Sequence, residues 1–136
     1  MKSVMCAMAA VLLAVPVRGE NPPEVKPLNL KGVTFDFTKG GNVPTPVELK
    51  TAVQLDKTLL LSDDAGRKLL AKQVDFDKFK LVVFVWSGSG GDKLTGALVK
   101  RGGTAQFTYS PGATDDLRRH AHIFAVPKDA KVELTR

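Results

Sequence analysis

Cysteine is almost missing from this chain of 136 residues: Cys6 is the only one, and it lies in the first ten positions. Beyond that segment there is nothing from which to build a disulfide framework, a thiolate metal site or a cysteine nucleophile. Histidine is nearly as scarce, with His120 and His122 the only two. Imidazole acid–base or metal chemistry is therefore confined to one place. The charge is basic, +6 from 20 Lys and Arg against 14 Asp and Glu. Yet the cations are scattered, and no basic block is interleaved with aromatic residues. The electrostatic footprint of a nucleic-acid binder is absent. Weak attraction to anionic envelope surfaces or to acidic partners is what this balance supports. There is no internal repeat, no low-complexity tract, and no apolar run reaching the length of about 20 residues that a comfortable membrane span needs.

What is present begins with an address. Lys2 precedes a mostly apolar stretch from Val4 to Val17, and Val17-Arg18-Gly19 offers small residues where a signal peptidase reads. The pattern predicts a signal peptide over 1–19, with cleavage before Glu20; a retained N-terminal anchor is the alternative. Cys6 precedes the apolar stretch and so is not the acylated first residue of a lipoprotein. Removal of Lys2 and Arg18, and of no acidic residue, takes the charge from +6 to +4. The expected product is secreted or periplasmic and has no transmembrane segment. Residues 20–31, with Pro22, Pro23 and Pro27, read as a stiff extended lead. Residues 32–136 suit a single domain held by core packing.

The central element is the run from Phe79 to Trp86. Leu81 to Trp86 is apolar on both alternating faces, as in a strand covered on both sides. Before it, Val33–Phe37 alternates like a first strand, and Val47–Lys50 reads as a short second one. Thr51 and Gln54 are spaced as a capping box for a helix over 51–60; the alternation of Leu49, Thr51, Val53 and Leu55 offers a strand as the alternative. Ser62, with Asp63 and Asp64 at the positive end, starts a second helix over about 63–73. After the central run, strands are expected over 94–100, 104–110, 119–126 and 131–134, with a hairpin turn at Arg101-Gly102-Gly103. Ala105, Phe107 and Tyr109 alternate with Thr104, Gln106, Thr108 and Ser110, the pattern of a sheet with one wet face. The fold class is α+β, mainly antiparallel sheet, with one or two short helices before the central strand.

Two places carry candidate chemistry. The first is the small-residue stretch Ser87, Gly88, Ser89, Gly90, Gly91, Asp92 and Lys93, which runs on to Thr95. It does not match a P-loop, because Lys93 follows Asp92 and Thr95 comes two positions later. It does not match a dinucleotide fingerprint, because Lys93 stands three after Gly90. A Gly-x-Ser-x-Gly elbow does not fit either. The alternatives are a hairpin connection whose glycines serve the backbone, or a loop that grips a partner. The second place is His120-Ala121-His122. On a strand both rings share a face, and with Asp92, or else Asp115 or Asp116, they would supply three ligands to Cu²⁺ or Zn²⁺. The alternative is that the two histidines only hydrogen-bond at the end of the sheet. Trp86 reads as core, its N–H directed toward the small-residue stretch. Asp75 and Asp77, the one carboxylate pair spaced for a shared face, read as solvated.

The middle of the chain carries a succession of pieces: a capped helix, Val74-Asp75-Phe76-Asp77, the apolar strand 80–86, a glycine loop ending Leu94-Thr95-Gly96, and the strand His122-Ile123-Phe124-Ala125-Val126-Pro127-Lys128. Over residues 47–134 this resembles the PrcB-like domain family, named for a regulatory subunit of an exported bacterial protease complex. The resemblance implies an exported, non-enzymatic α+β domain that holds or regulates partner proteins. Where that family has Gly-Gly-Tyr after its loop, Gly96 is followed here by Ala97 and Leu98, so no functional residue carries over. The expected function is a non-catalytic interaction domain that binds a protein or envelope component through residues 87–95 and needs no cofactor. The alternative is an exported Cu or Zn binder using the His-x-His pair.

Overall fold

The computed structural model describes residues 25–99 and 103–136. The expected signal peptide and the first part of the lead lie outside the described residues, as do positions 101 and 102 of the expected hairpin turn. The strands are β1 Lys26–Pro27, β2 Val47–Leu49, β3 Phe79–Ser89, β4 Lys93–Val99, β5 Thr104–Ser110, β6 Leu117–Pro127 and β7 Lys131–Thr135. Two helices, α1 Ala52–Lys57 and α2 Asp64–Ala71, precede β3. Among the described residues no helix is long and apolar enough to cross a membrane.

The strands form two sheets. The first has the order β1-β6-β3-β2 and is antiparallel throughout; the second has the order β4-β5-β7. β3 is covered on both faces, as its sequence predicts. Leu81, Val83 and Val85 pack with Leu55 of α1, Leu70 of α2, Ile123 and Ala125. Val82, Phe84 and Trp86 pack with Phe107, Tyr109, Phe124 and Val126 against the second sheet. The result is three layers: helices, first sheet, second sheet. Both cores are closed by period-two alternation along β3, β5 and β6.

The helix signals hold, with small shifts. Thr51 accepts from the Gln54 N–H (3.1 Å), and the Gln54 side chain accepts from the Lys50 N–H (2.6 Å), one residue before the amide a capping box would use. The cap of α2 is Asp63, which accepts from the Gly66 N–H at 2.8 Å. Ser62 is not the cap. Its backbone N–H donates to Thr34 O, which holds it in an extended connection.

Two expectations are corrected, and one strand takes a direction the sequence left open. Val33–Phe37 is not a strand: only Phe35 makes a bridge, to Leu61, and Phe37–Lys39 forms a 3₁₀ turn capped by Asp36. Val33, Phe35 and Phe37 alternate because they pack against the helix-side core as irregular chain. The extended lead does not reach to residue 31. Lys26 and Pro27 pair with Ala125 and Phe124 of β6, and Leu28 and Leu30 pack in the core. Finally, β7 runs parallel to β5, because the chain leaves β6 in the first sheet and crosses to the second before laying down β7.

Candidate functional site

Most of the expected 87–95 loop is strand. Ser87, Gly88 and Ser89 finish β3 opposite Arg119, Arg118 and Leu117, and Lys93 already begins β4 opposite Ser110. Only Gly90, Gly91 and Asp92 form the turn, and it is here that the chain passes from the first sheet to the second. The return passage, Pro111–Asp116, lies against it. β3, β4, β5 and β6 thus meet at one end of the molecule.

Asp92 joins these parts. Its Oδ2 accepts from the Trp86 indole N–H (3.0 Å) and from the Tyr109 hydroxyl (3.2 Å), and its Oδ1 accepts from the Gly112 N–H (2.7 Å). The Gly112 amide, then the indole, then the phenol hold the Asp92 carboxyl below the usual carboxylate range. Burial pushes the Tyr109 phenol up, and the Asp92 charge adds to that. Two glycines are required by this closeness. A Cβ on Gly88 would lie 2.3 Å from Asp92 Oδ2, and one on Gly112 would lie 2.4 Å from the Gly91 carbonyl carbon.

A second set of bonds surrounds the first. Ser89 Oγ pairs with Thr114 Oγ1 (2.5 Å) and accepts from the N–H groups of Gly91 (3.2 Å) and Thr114 (3.1 Å). Asp116 accepts from the Gly90 N–H (3.2 Å) and from Arg118 Nε (2.7 Å). The Thr114 hydroxyl, Arg118 and the Gly90 amide together lower the Asp116 carboxyl to about 2.

The histidines reach this end but not as a ligand set. His120 is the cross-strand neighbour of Trp86 and stacks on it, with centroids 4.7 Å apart and planes 18° apart. Its Nε2 lies 2.8 Å from Ser89 O. A carbonyl only accepts, so this contact puts a hydrogen on Nε2. His122 stacks between Trp86 (5.6 Å) and Phe124 (6.1 Å). Burial, with the neighbouring His120 charge second, depresses its pKa. Asp92, His120 and His122 therefore surround one indole, while the hydrogen bonds of the Asp92 side chain run to Trp86, Tyr109 and Gly112. Among the described residues no group of three His, Cys, Asp or Glu side chains is gathered as a metal would need.

Trp86 is fully buried with its N–H aimed at the turn, as read from sequence. Asp75 and Asp77 are both exposed. Asp75 Oδ1 accepts from the Asp77 N–H (3.0 Å), which shapes the entry to β3. Sequence reasoning missed Tyr109, Gly112 and Thr114 as members of this end. Only the Pro111-Gly112 break hinted that the chain turns there, and a contact some twenty residues away leaves no local signal. It also missed Leu117, a large aliphatic residue 78% exposed at the start of β6.

Compared with protein-family models, curated proteins and solved structures, the chain matches none.

Proposed function

We propose that the protein is an exported, non-catalytic interaction domain that meets a protein or envelope partner at the end where β3, β4, β5 and β6 converge. The observation that carries this reading is Leu117, standing 78% exposed directly beside a turn whose own polar groups are engaged. Ser89, Gly90, Gly91 and Asp92 are tied to Pro111–Asp116 by hydrogen bonds. They hold a rigid platform, and the contact surface is what flanks it: Lys93, Thr95, Leu117, Arg118 and Arg119, all exposed. Rigid presentation lowers the entropy cost of binding.

The local chemistry favours binding over turnover. A nucleophilic serine needs a base within hydrogen-bond reach, whereas the Ser89 hydroxyl is engaged with Thr114 and the nearest imidazole contacts the Ser89 carbonyl. Asp92 has three donors and a lowered pKa, the reverse of a carboxyl tuned as a general acid or base near neutral pH. The resemblance to PrcB-like domains points the same way.

Site-specific photo-crosslinking tests the reading. A benzoylphenylalanine placed at Lys93 or Leu117 is expected to give the same discrete adduct in an envelope fraction. Placement at Asp56 on exposed α1 gives none. Equal adducts from all three positions, or none from any, would reject it.

A further inference from the structure

β6 is eleven residues long, and all eleven pair with β3. Its other side is treated very differently. There β1 contributes two residues, Lys26 opposite Ala125 and Pro27 opposite Phe124, and Leu28 adds one hydrogen bond from its N–H to Ile123 O (2.9 Å). From Ile123 down to Leu117, no described strand lies on that side. β1 enters from the Pro127 end and leaves at Ile123, so its direction does not extend it along Leu117–His122.

The Ile123 carbonyl points outward, toward β1. In an antiparallel ladder without a bulge, residues two apart turn their N–H and C=O to the same side. The register from Leu117 to Pro127 is unbroken. Ala121, Arg119 and Leu117 therefore direct their N–H and C=O groups away from β3, into an open edge. Such an edge is a ready template for another chain.

The side chains along it select the occupant. Arg118 and Arg119 are exposed, His120 and His122 lie between them and β1, and Lys26 is exposed where β1 begins. Arg119 extends over the Phe37 ring at 5.6 Å, and Arg118 is shared with Asp116. A second copy of this chain is a poor fit. An antiparallel β6–β6 pair centred on Arg118 or Arg119 sets that arginine against itself. Like charges directly opposite destabilise a pair. Arg118 and Arg119 turn to opposite faces, so an extended segment with carboxylates at alternate positions sets a carboxylate against one of these arginines whichever face its carboxylates take, and an apolar residue at its end covers Leu117.

We propose that Leu117–His122 of β6 is a strand-addition site that binds an acidic, extended segment of a partner protein. This rests on the reading of the domain as a partner binder and gives that site its binding mode.

Amide hydrogen exchange followed by NMR tests it. The probe is a ten-residue peptide alternating Glu with Val. In the free protein the outward amides of Leu117, Arg119 and Ala121 exchange fast, while those of His120 and His122, bonded to β3, exchange slowly. With saturating peptide, exchange at the three outward amides is expected to slow at least tenfold. The peptide with Lys in place of Glu should leave them unchanged. Arg119→Pro removes one outward N–H at an edge position that tolerates proline and should abolish the protection. Arg119→Gln keeps the N–H and should weaken binding several-fold only. The proposal is overturned by absence of protection, by equal protection with the Lys peptide, by an Arg119→Pro protein that binds like wild type, or by the same slowing with inorganic polyphosphate, which has no backbone to pair. A crosslinked adduct at Lys93 together with unprotected edge amides would overturn strand addition and leave the partner reading standing. Protected edge amides without an adduct would do the reverse.

Discussion

The two ends of β3 are fastened to the second sheet by charges of opposite sign, and they work differently. At one end Lys80, only 4% exposed, donates from Nζ to Ala130 O (2.6 Å) and pairs with Glu48 (2.6 Å). At the other, Asp92 accepts from Trp86, Tyr109 and Gly112. The Lys80 end joins a cation to one carboxylate and one carbonyl, and Glu48 retains 37% exposure, so water can replace the loss. The Asp92 end leaves three neutral donors dependent on one acceptor, and the indole among them is fully buried. A buried donor without a partner costs more than a mean hydrogen bond contributes. The half-exposed acid, not the deeply buried base, is therefore the more consequential fastening.

The largest effect should come from Asp92→Ala, which orphans all three donors and is expected to cost about 3–4 kcal/mol. Urea unfolding measures it, and a loss smaller than that of the Lys80 variant would reverse the ranking. Gly112→Ala comes next, at about 2–3 kcal/mol, because the new methyl meets backbone that cannot turn aside. Its signature is the loss of the downfield Trp86 indole proton as the Asp92 contact opens. Lys80→Met, which keeps the stem and removes the ammonium, should cost only about 1–2 kcal/mol, chiefly the unsatisfied Ala130 carbonyl. The smallest effect is that of pH. The His122 pKa is depressed in the folded state, so stability is lost as pH falls below about 6.5, where the unfolded histidine takes up a proton. The Asp92 pKa is also depressed, so its contribution is present above about 4 and is lost as pH falls through the folded value. His122→Gln should flatten the upper part of the acid limb and Asp92→Asn the lower part. Unchanged curves would separate these groups from the acid response.

Much of the fold was legible because its signals are local. The two-faced run of β3, the alternation of β5 and the cap of the first helix are each written within a dozen residues. Val33–Phe37 misled because irregular chain lying along a core also places every second residue inward. The stretch from Ser87 to Lys93 misled because its small residues imitate a loop. Gly88 is small so that a strand can pass close to Asp92. The partner of Lys80 lies fifty residues away at Ala130. Such a tie has no periodicity to read, and the lysine looks like an interruption in an apolar run. The division into two sheets was equally silent, since β4 and β5 carry ordinary hairpin patterns whichever sheet they join.

The two crossings, at Gly90–Asp92 and Pro111–Asp116, also bear on the order in which the chain assembles. β3 and β6 face each other across Ser89 and Leu117, so everything between them is an excursion from one long hairpin. The β4–β5 pair inside that excursion is made of near neighbours in sequence, and such local contacts form fastest. Once formed, it brings its two stems together and shortens the loop that β3 and β6 must close. The bonds of Asp92 to Gly112 and of Gly90 to Asp116 then set which residue of β6 lies opposite Ser89. A slip by one position would turn both histidines to the helix side and Arg119 into the space between the sheets. The small hairpin thus acts as the gauge against which the longest pairing in the molecule is aligned.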